Sequence, residues 1–157
     1  MSLIRLNYSI GEAPSKIGKL QDALAQMPQH PGFETTHRFA DGMYSREIEI
    51  PPAVAIISKT HAKECFFILL SGDLTISTDT SVTHLEAGDV FLSPPGKRAV
   101  VSVNGCRALT VHRLDPYTEN LDEIEAQLVI PEDCSNYDFD NQLKDPALAA
   151  PDDKFLE

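Results

Sequence analysis

From Tyr44 to Leu114 the chain consists of short apolar stretches separated by turn residues. YSREIEI (44–50) alternates and stops at Pro51-Pro52. AVAIISKTH (53–61) and ECFFILLSG (64–72) follow, and DLTISTD (73–79) places Leu74, Ile76 and Thr78 on one face. SVTHLEAGD (81–89), VFLSPPG (90–96), RAVVSVNG (98–105) and CRALTVHRL (106–114) continue the series. Turn signals recur every ~8–12 residues with no helical period between them, which predicts an all-β sandwich or small barrel.

The flanks read differently. Residues 1–43 form an extension with one short helix, capped by Ser15, carrying Ile17, Leu20, Leu24 and Met27 on one face and ending at Pro28, although Gly18 works against it. Beyond Asp115-Pro116, residues 116–130 hold a second helix. There Asn120 and Glu123 fit a capping box, and Leu121, Ile124 and Leu128 share a face. Residues 131–157 read as an extended acidic tail.

One strand breaks the alternation. In Phe66-Phe67-Ile68-Leu69-Leu70 both faces are apolar, so Phe66, Ile68 and Leu70 require a cover. The candidates are the N-terminal helix, the 121–128 helix or another subunit, and a homo-oligomer is expected. Tyr137, Phe139, Leu148 and Phe155 space apolar anchors along the tail, suited to docking on a neighbour.

At 157 residues and 42% hydrophobic, the chain is long enough for one domain with a proper core. Its net charge of −11, with no basic stripe, argues against nucleic acid as a partner. Within the tail, eight acids face only Lys144 and Lys154. No apolar run is long enough for a membrane span, and MSLIRLNYSIGEAPSK has no secretory pattern. Three distant cysteines, Cys65, Cys106 and Cys134, fit free thiols in a reducing compartment.

Two segments carry a resemblance to a known family. His61 through Gly72, and GDVFLSPPG (88–96), are similar to the two motifs of the cupin superfamily. The resemblance implies a cupin-like double-stranded β-helix, a jelly-roll barrel, over residues 44–115. Cupins carry a His-x-His, then an acid seven residues before a glycine, and a last histidine three residues after the second motif. Here Lys59 stands at the first histidine position, His61 at the second, Cys65 at the acid and Ala99 at the last histidine. A closer resemblance is to small cupin-like proteins of tailed bacteriophages, which have no settled activity and a histidine at the Cys65 position. It rests on Tyr44, Arg46, Glu47, Lys59, His61, Gly72, Pro94, Pro95, Gly96 and His112, and on the acidic helix ENLDEIEAQL. It implies a virion-associated or accessory phage protein, located in the host cytoplasm or on the particle.

Three chemistries are then open. His61, Cys65 and His112 supply two imidazoles and a thiolate suited to one divalent transition metal, zinc or iron, with Glu47 or Glu64 as an oxygen donor. Four residues of extended strand span about 13 Å, so HAKEC must bend for His61 and Cys65 to share an ion. Against this, a strand-end histidine is commonly a hydrogen-bonded rim residue and a free cysteine a small hydrophobe. No cofactor is the leading expectation. Arg46, Lys59, Lys97 and Arg98 form a candidate basic mouth for an anionic group. Cys106, after Asn104-Gly105, reads as an exposed thiol with thin support as a nucleophile. No nucleophile elbow, phosphate loop or HExxH is present. The leading functional reading is a non-catalytic barrel acting through contacts with its own copies or other phage proteins. The alternatives are a metal-dependent dioxygenase, isomerase or lyase, and a binder of a small anion.

Overall fold

The computed structural model describes residues 15–131 and 135–149. Its order is α1 (Lys16–Ala25), β1 (Thr35–Ala40), β2 (Met43–Ile50), β3 (Ala55–Ile57), β4 (Cys65–Ser77), β5 (Val82–Glu86), β6 (Val90–Ser93), β7 (Ala99–Val101), β8 (Cys106–Arg113) and α2 (Leu121–Leu128). A single 3-10 turn, Pro146–Leu148, follows. All strand pairings are antiparallel, and the sheet curls on itself. One half runs β1-β2-β8-β4-β6, and the other joins β5 and β7 to the far end of β4, with β3 beside β7. This is a mainly-β jelly-roll barrel followed by a short helix, as the strand pattern and the resemblance imply.

The halves are joined by β4 itself. The sequence suggests two strands meeting at a turn at Gly72, but β4 runs unbroken from Cys65 to Ser77. Gly72 has φ +79°, and the β4–β8 register shifts between Leu69 and Ser71. A positive-φ glycine can bend a strand as well as reverse it, and here it bends. Downstream, Leu74 and Ile76 face inward as the alternation predicts and pack with Ile50, Phe67, Leu69, Leu85, Val100, Cys106 and Ala108.

The sheet also begins earlier than Tyr44. TTHRFA in β1 alternates in burial and pairs along β2 from Thr35↔Ile48 to Ala40↔Met43. Its polar inward and outward positions hide it from a hydrophobic scan. Both helices form where expected. The Ser15 hydroxyl accepts from Gly18 N at 2.9 Å, and the Asn120 amide oxygen accepts from Asp122 N and Glu123 N. The capping box does not close, because Glu123 accepts from the Thr118 hydroxyl instead.

The tail, expected to reach a neighbour, folds back on its own chain over residues 135–149. Tyr137 donates to the His30 carbonyl at 2.7 Å, and Phe139 is buried with Tyr44, Leu114, Ile124, Leu128 and Val129. Burial outweighs the cost of ordering this acidic segment, whose acids are used locally. Asp138 accepts from the amides of Asp140 and Gln142, and Asp145 caps the 3-10 turn. Leu148 remains exposed, while Phe155 and Cys134 lie outside the described residues.

A Cβ on Gly72 would sit 2.1 Å from the Gly105 carbonyl oxygen and 2.9 Å from Cys106 Cα. Gly72→Ala is therefore expected to cost at least about 2 kcal/mol, from the positive φ and from separating β4 from β8. Chemical denaturation checks this; a change within about 0.5 kcal/mol would show that the bend does not depend on glycine.

Candidate functional site

The barrel interior changes character from end to end. Below Phe67 it is hydrocarbon; above, the inward positions are Tyr44 and Arg46 on β2, Cys65 on β4, Ser93 on β6, and Thr110 and His112 on β8. The ladders set them side by side: Tyr44↔His112, Arg46↔Thr110 and Cys65↔Ser93. Arg98 enters from the segment before β7, where its amide donates to Ser58 Oγ.

His61 comes from the β3–β4 connection. It exchanges two backbone hydrogen bonds with Gly96, both 2.9 Å, and the neighbouring Thr60 and Ala62 bond to Ile130 and Leu128. HAKEC does bend here, with Lys63 and Glu64 facing out and Cys65 turned in. The His61 and His112 rings stack with centroids 6.3 Å apart.

Burial dominates the electrostatics of this cluster. It pulls His61 down to about 3, helped by the positive charge of Arg98, by His112 and by Arg46. His112 is pulled down to about 4 by burial, then by Arg46 and Arg98. Both imidazoles are neutral at physiological pH. Burial pushes the Cys65 thiol up, and the neighbouring Arg98 only partly offsets this, so it stays a thiol. His112 Nε2 lies 2.9 Å from Thr110 Oγ1, whose hydroxyl donates to the Arg46 carbonyl.

A metal fits this donor set poorly. Among the described residues no three His, Cys, Asp or Glu side chains gather as a metal-holding group. The His61, Cys65 and His112 trio is instead flanked by two guanidinium groups, which repel a dication. Glu47 points outward between Arg38 and Arg107, and Glu64 is exposed, so neither joins the histidines.

The expected basic mouth is not assembled as the sequence suggests. Lys59 pairs with Glu125 at 2.8 Å and holds α2; Lys97 donates to Gln21 on α1 at 2.6 Å. Arg98, expected at the rim, is buried, because it shares the inward parity of Val100. Arg46 also turns inward, donating to the Phe139 carbonyl with its guanidinium 4.6 Å from the ring centroid. Cys106, expected exposed, opens β8 facing the core, and burial raises its thiol.

Sequence reasoning missed the clamp over this end. His37 Nδ1 lies 2.6 Å from Tyr44 Oη, and its Nε2 lies 2.7 Å from Asp140 Oδ1. Tyr44 is fully buried, and burial raises its hydroxyl to about 12. His37 and Asp140 are 103 positions apart, so no local pattern links them.

No family model matches the sequence, and no curated protein is similar to it in sequence. Among solved structures, the chain is similar to a cupin-2 domain protein of Shewanella frigidimarina at 14% identity and a TM-score of 0.44, covering 60% of this chain and 92% of that one. A cupin superfamily protein of Desulfitobacterium hafniense aligns at 14% identity and 0.47, covering 59% and 88%. The EutQ protein of Clostridium difficile aligns at 13% and 0.45, covering 54% and 70%. At these scores no activity or ligand is carried over from them.

Two predictions follow from the neutral imidazoles and the flanking cations. Unfolded histidine protonates near 6.5 while the folded pair resists until about 3 and about 4, so protons favour unfolding. Stability is then full above about pH 6.5 and falls as the pH drops toward 4, by up to ~1.4 kcal/mol per unit for each histidine. Urea titrations at pH 7 and 5 should show this loss, flattened in His61→Gln/His112→Gln; equal midpoints in the wild type would mean the folded imidazoles protonate normally. Purified without chelator, the chain should carry less than about a tenth of an equivalent of zinc or iron. Near one equivalent, lost in His61→Ala/His112→Ala, would restore the metal site.

Proposed function

We propose that this chain is a non-catalytic barrel module that works by association, and that its first partner is a second copy of itself. The observation that carries this reading is the outer face of the β6-β4-β8 sheet. Phe66 is 54% exposed and sits between Leu92 and Val111; Ile68 sits between Val90 and Leu109. With Leu92 57% and Val90 62% exposed, and Leu70 beside them, these residues form one continuous apolar surface.

Neither helix covers it. The apolar face of α2 packs on Tyr44, Leu114 and Phe139, and α1 is tied to the other half of the barrel, its Ile17 amide donating to Asp79 at 3.0 Å. Of the covers weighed from the sequence, another subunit is the one left open among the described residues. A flat apolar centre suits self-pairing across a two-fold axis, where the same patch supplies both sides.

The phage resemblance supplies the setting. Such a dimer would serve as a virion-associated or accessory component, with further contacts to other phage proteins.

Light scattering after gel filtration should give about twice the 17.3 kDa chain mass, and Phe66→Asp or Leu92→Asp should return a folded monomer. A wild-type monomer at high micromolar concentration would overturn the proposal.

A further inference from the structure

The polar end of the barrel carries one guanidinium group, that of Arg98, on which no carboxylate acts. Arg98 is 5% exposed, and neither of its terminal nitrogens has a hydrogen-bond partner. The thiol of Cys65 beside it is only a weak acceptor. Ser93 is 0% exposed and faces Cys65 across the β4–β6 ladder, and its hydroxyl also has no partner. His61 Nδ1 and Arg46 Nε are likewise buried and unmet.

Arg46 is answered through space by Asp140, Glu125 and Asp138 and directly by the Phe139 carbonyl and ring, whereas no carboxylate acts on Arg98. The His61 and His112 rings stack, and the charges of both Arg98 and Arg46 act on them. Buried charges with unmet donors are costly, and folded proteins supply a counter-charge for them. A water would meet one or two of these donors and leave the charge unanswered. A dication would add to it.

We infer that this end of the barrel binds one small oxyanion, a carboxylate or a tetrahedral phosphate or sulfate. The two terminal nitrogens of Arg98 form a fork that holds two oxygens, which a lysine could not do. Ser93 Oγ and a neutral His61 that carries its one proton on Nδ1 complete the shell. The site is roofed by the chain itself: His61 bridges to Gly96 and Val129, and Arg46 holds the Phe139 carbonyl above. This inference is independent of the association surface, which lies on the opposite face of the same sheet.

The test is thermal melting of the full chain in chloride buffer with added sodium phosphate, sulfate or acetate at matched ionic strength, beside ion chromatography of anions released on acid denaturation. One of these anions is expected to raise Tm by roughly 4 °C or more as its concentration increases. Alternatively, about one equivalent is released from protein purified with the site already filled. A response to phosphate or sulfate alone identifies a tetrahedral ligand, and a response to acetate alone a carboxylate. Arg98→Met, which keeps the bulk and removes the charge, should melt cooperatively and lose both signals. If it does not fold, Arg98→Lys keeps the charge without the fork and should weaken them. Signals unchanged in the folded variant would overturn the assignment, as would the absence of both shift and released anion in the wild type.

Discussion

The architecture rests on one strand that serves both halves of the barrel. β4 pairs with β6 and β8 before its bend and with β5 and β7 beyond it. Its backbone can change direction without ending because Gly72 adopts a positive φ where its α-carbon packs against Gly105 and Cys106. Every inward position that matters is then set by period-2 alternation from this strand outward. Leu69 and Leu74 face hydrocarbon, while Cys65 faces Ser93 and the histidine pair.

That geometry explains how one interior holds two environments. The middle of the barrel is closed by apolar residues from both sheet halves. The end near Cys65 lacks such a partner sheet and is closed instead by α2 and the returning tail, through Ile124, Leu128, Val129 and Phe139. Phe139 does two things there. It buries its ring on Tyr44, His37 and Arg46, and its carbonyl takes one guanidinium hydrogen bond. The Asp140–His37–Tyr44 chain then pins the tail to β1 and β2. The tail is thus part of the barrel's closure.

Much of the fold was legible because it follows from local signals. Alternation places β2, β4 beyond the bend and β8, and side-chain caps place both helices. The two-sided apolar run Phe66–Leu70 correctly marks a strand with an outer apolar face. The candidate site was legible only in part. His61, Cys65 and His112 do turn toward the same end of the interior, but Lys59 and Lys97, grouped with Arg46 and Arg98 by charge, are engaged with α2 and α1. Parity alone would have put Arg98 inside with Val100; charge argued the other way, and parity won. Cys106 was misplaced for a related reason: as the first residue of β8 it shares the inward parity of Ala108 and His112.

By itself, then, the sequence determined the class of fold, the two helices and the presence of an apolar outer strand face, since each depends on residues a few positions apart. The tertiary structure alone decided that β4 bends instead of turning, that the tail closes the barrel, and that two arginines flank the histidines. Those outcomes depend on contacts across 66 to 103 positions, such as Lys59–Glu125, Arg46–Phe139 and His37–Asp140, where closing the chain brings together groups that no local period connects.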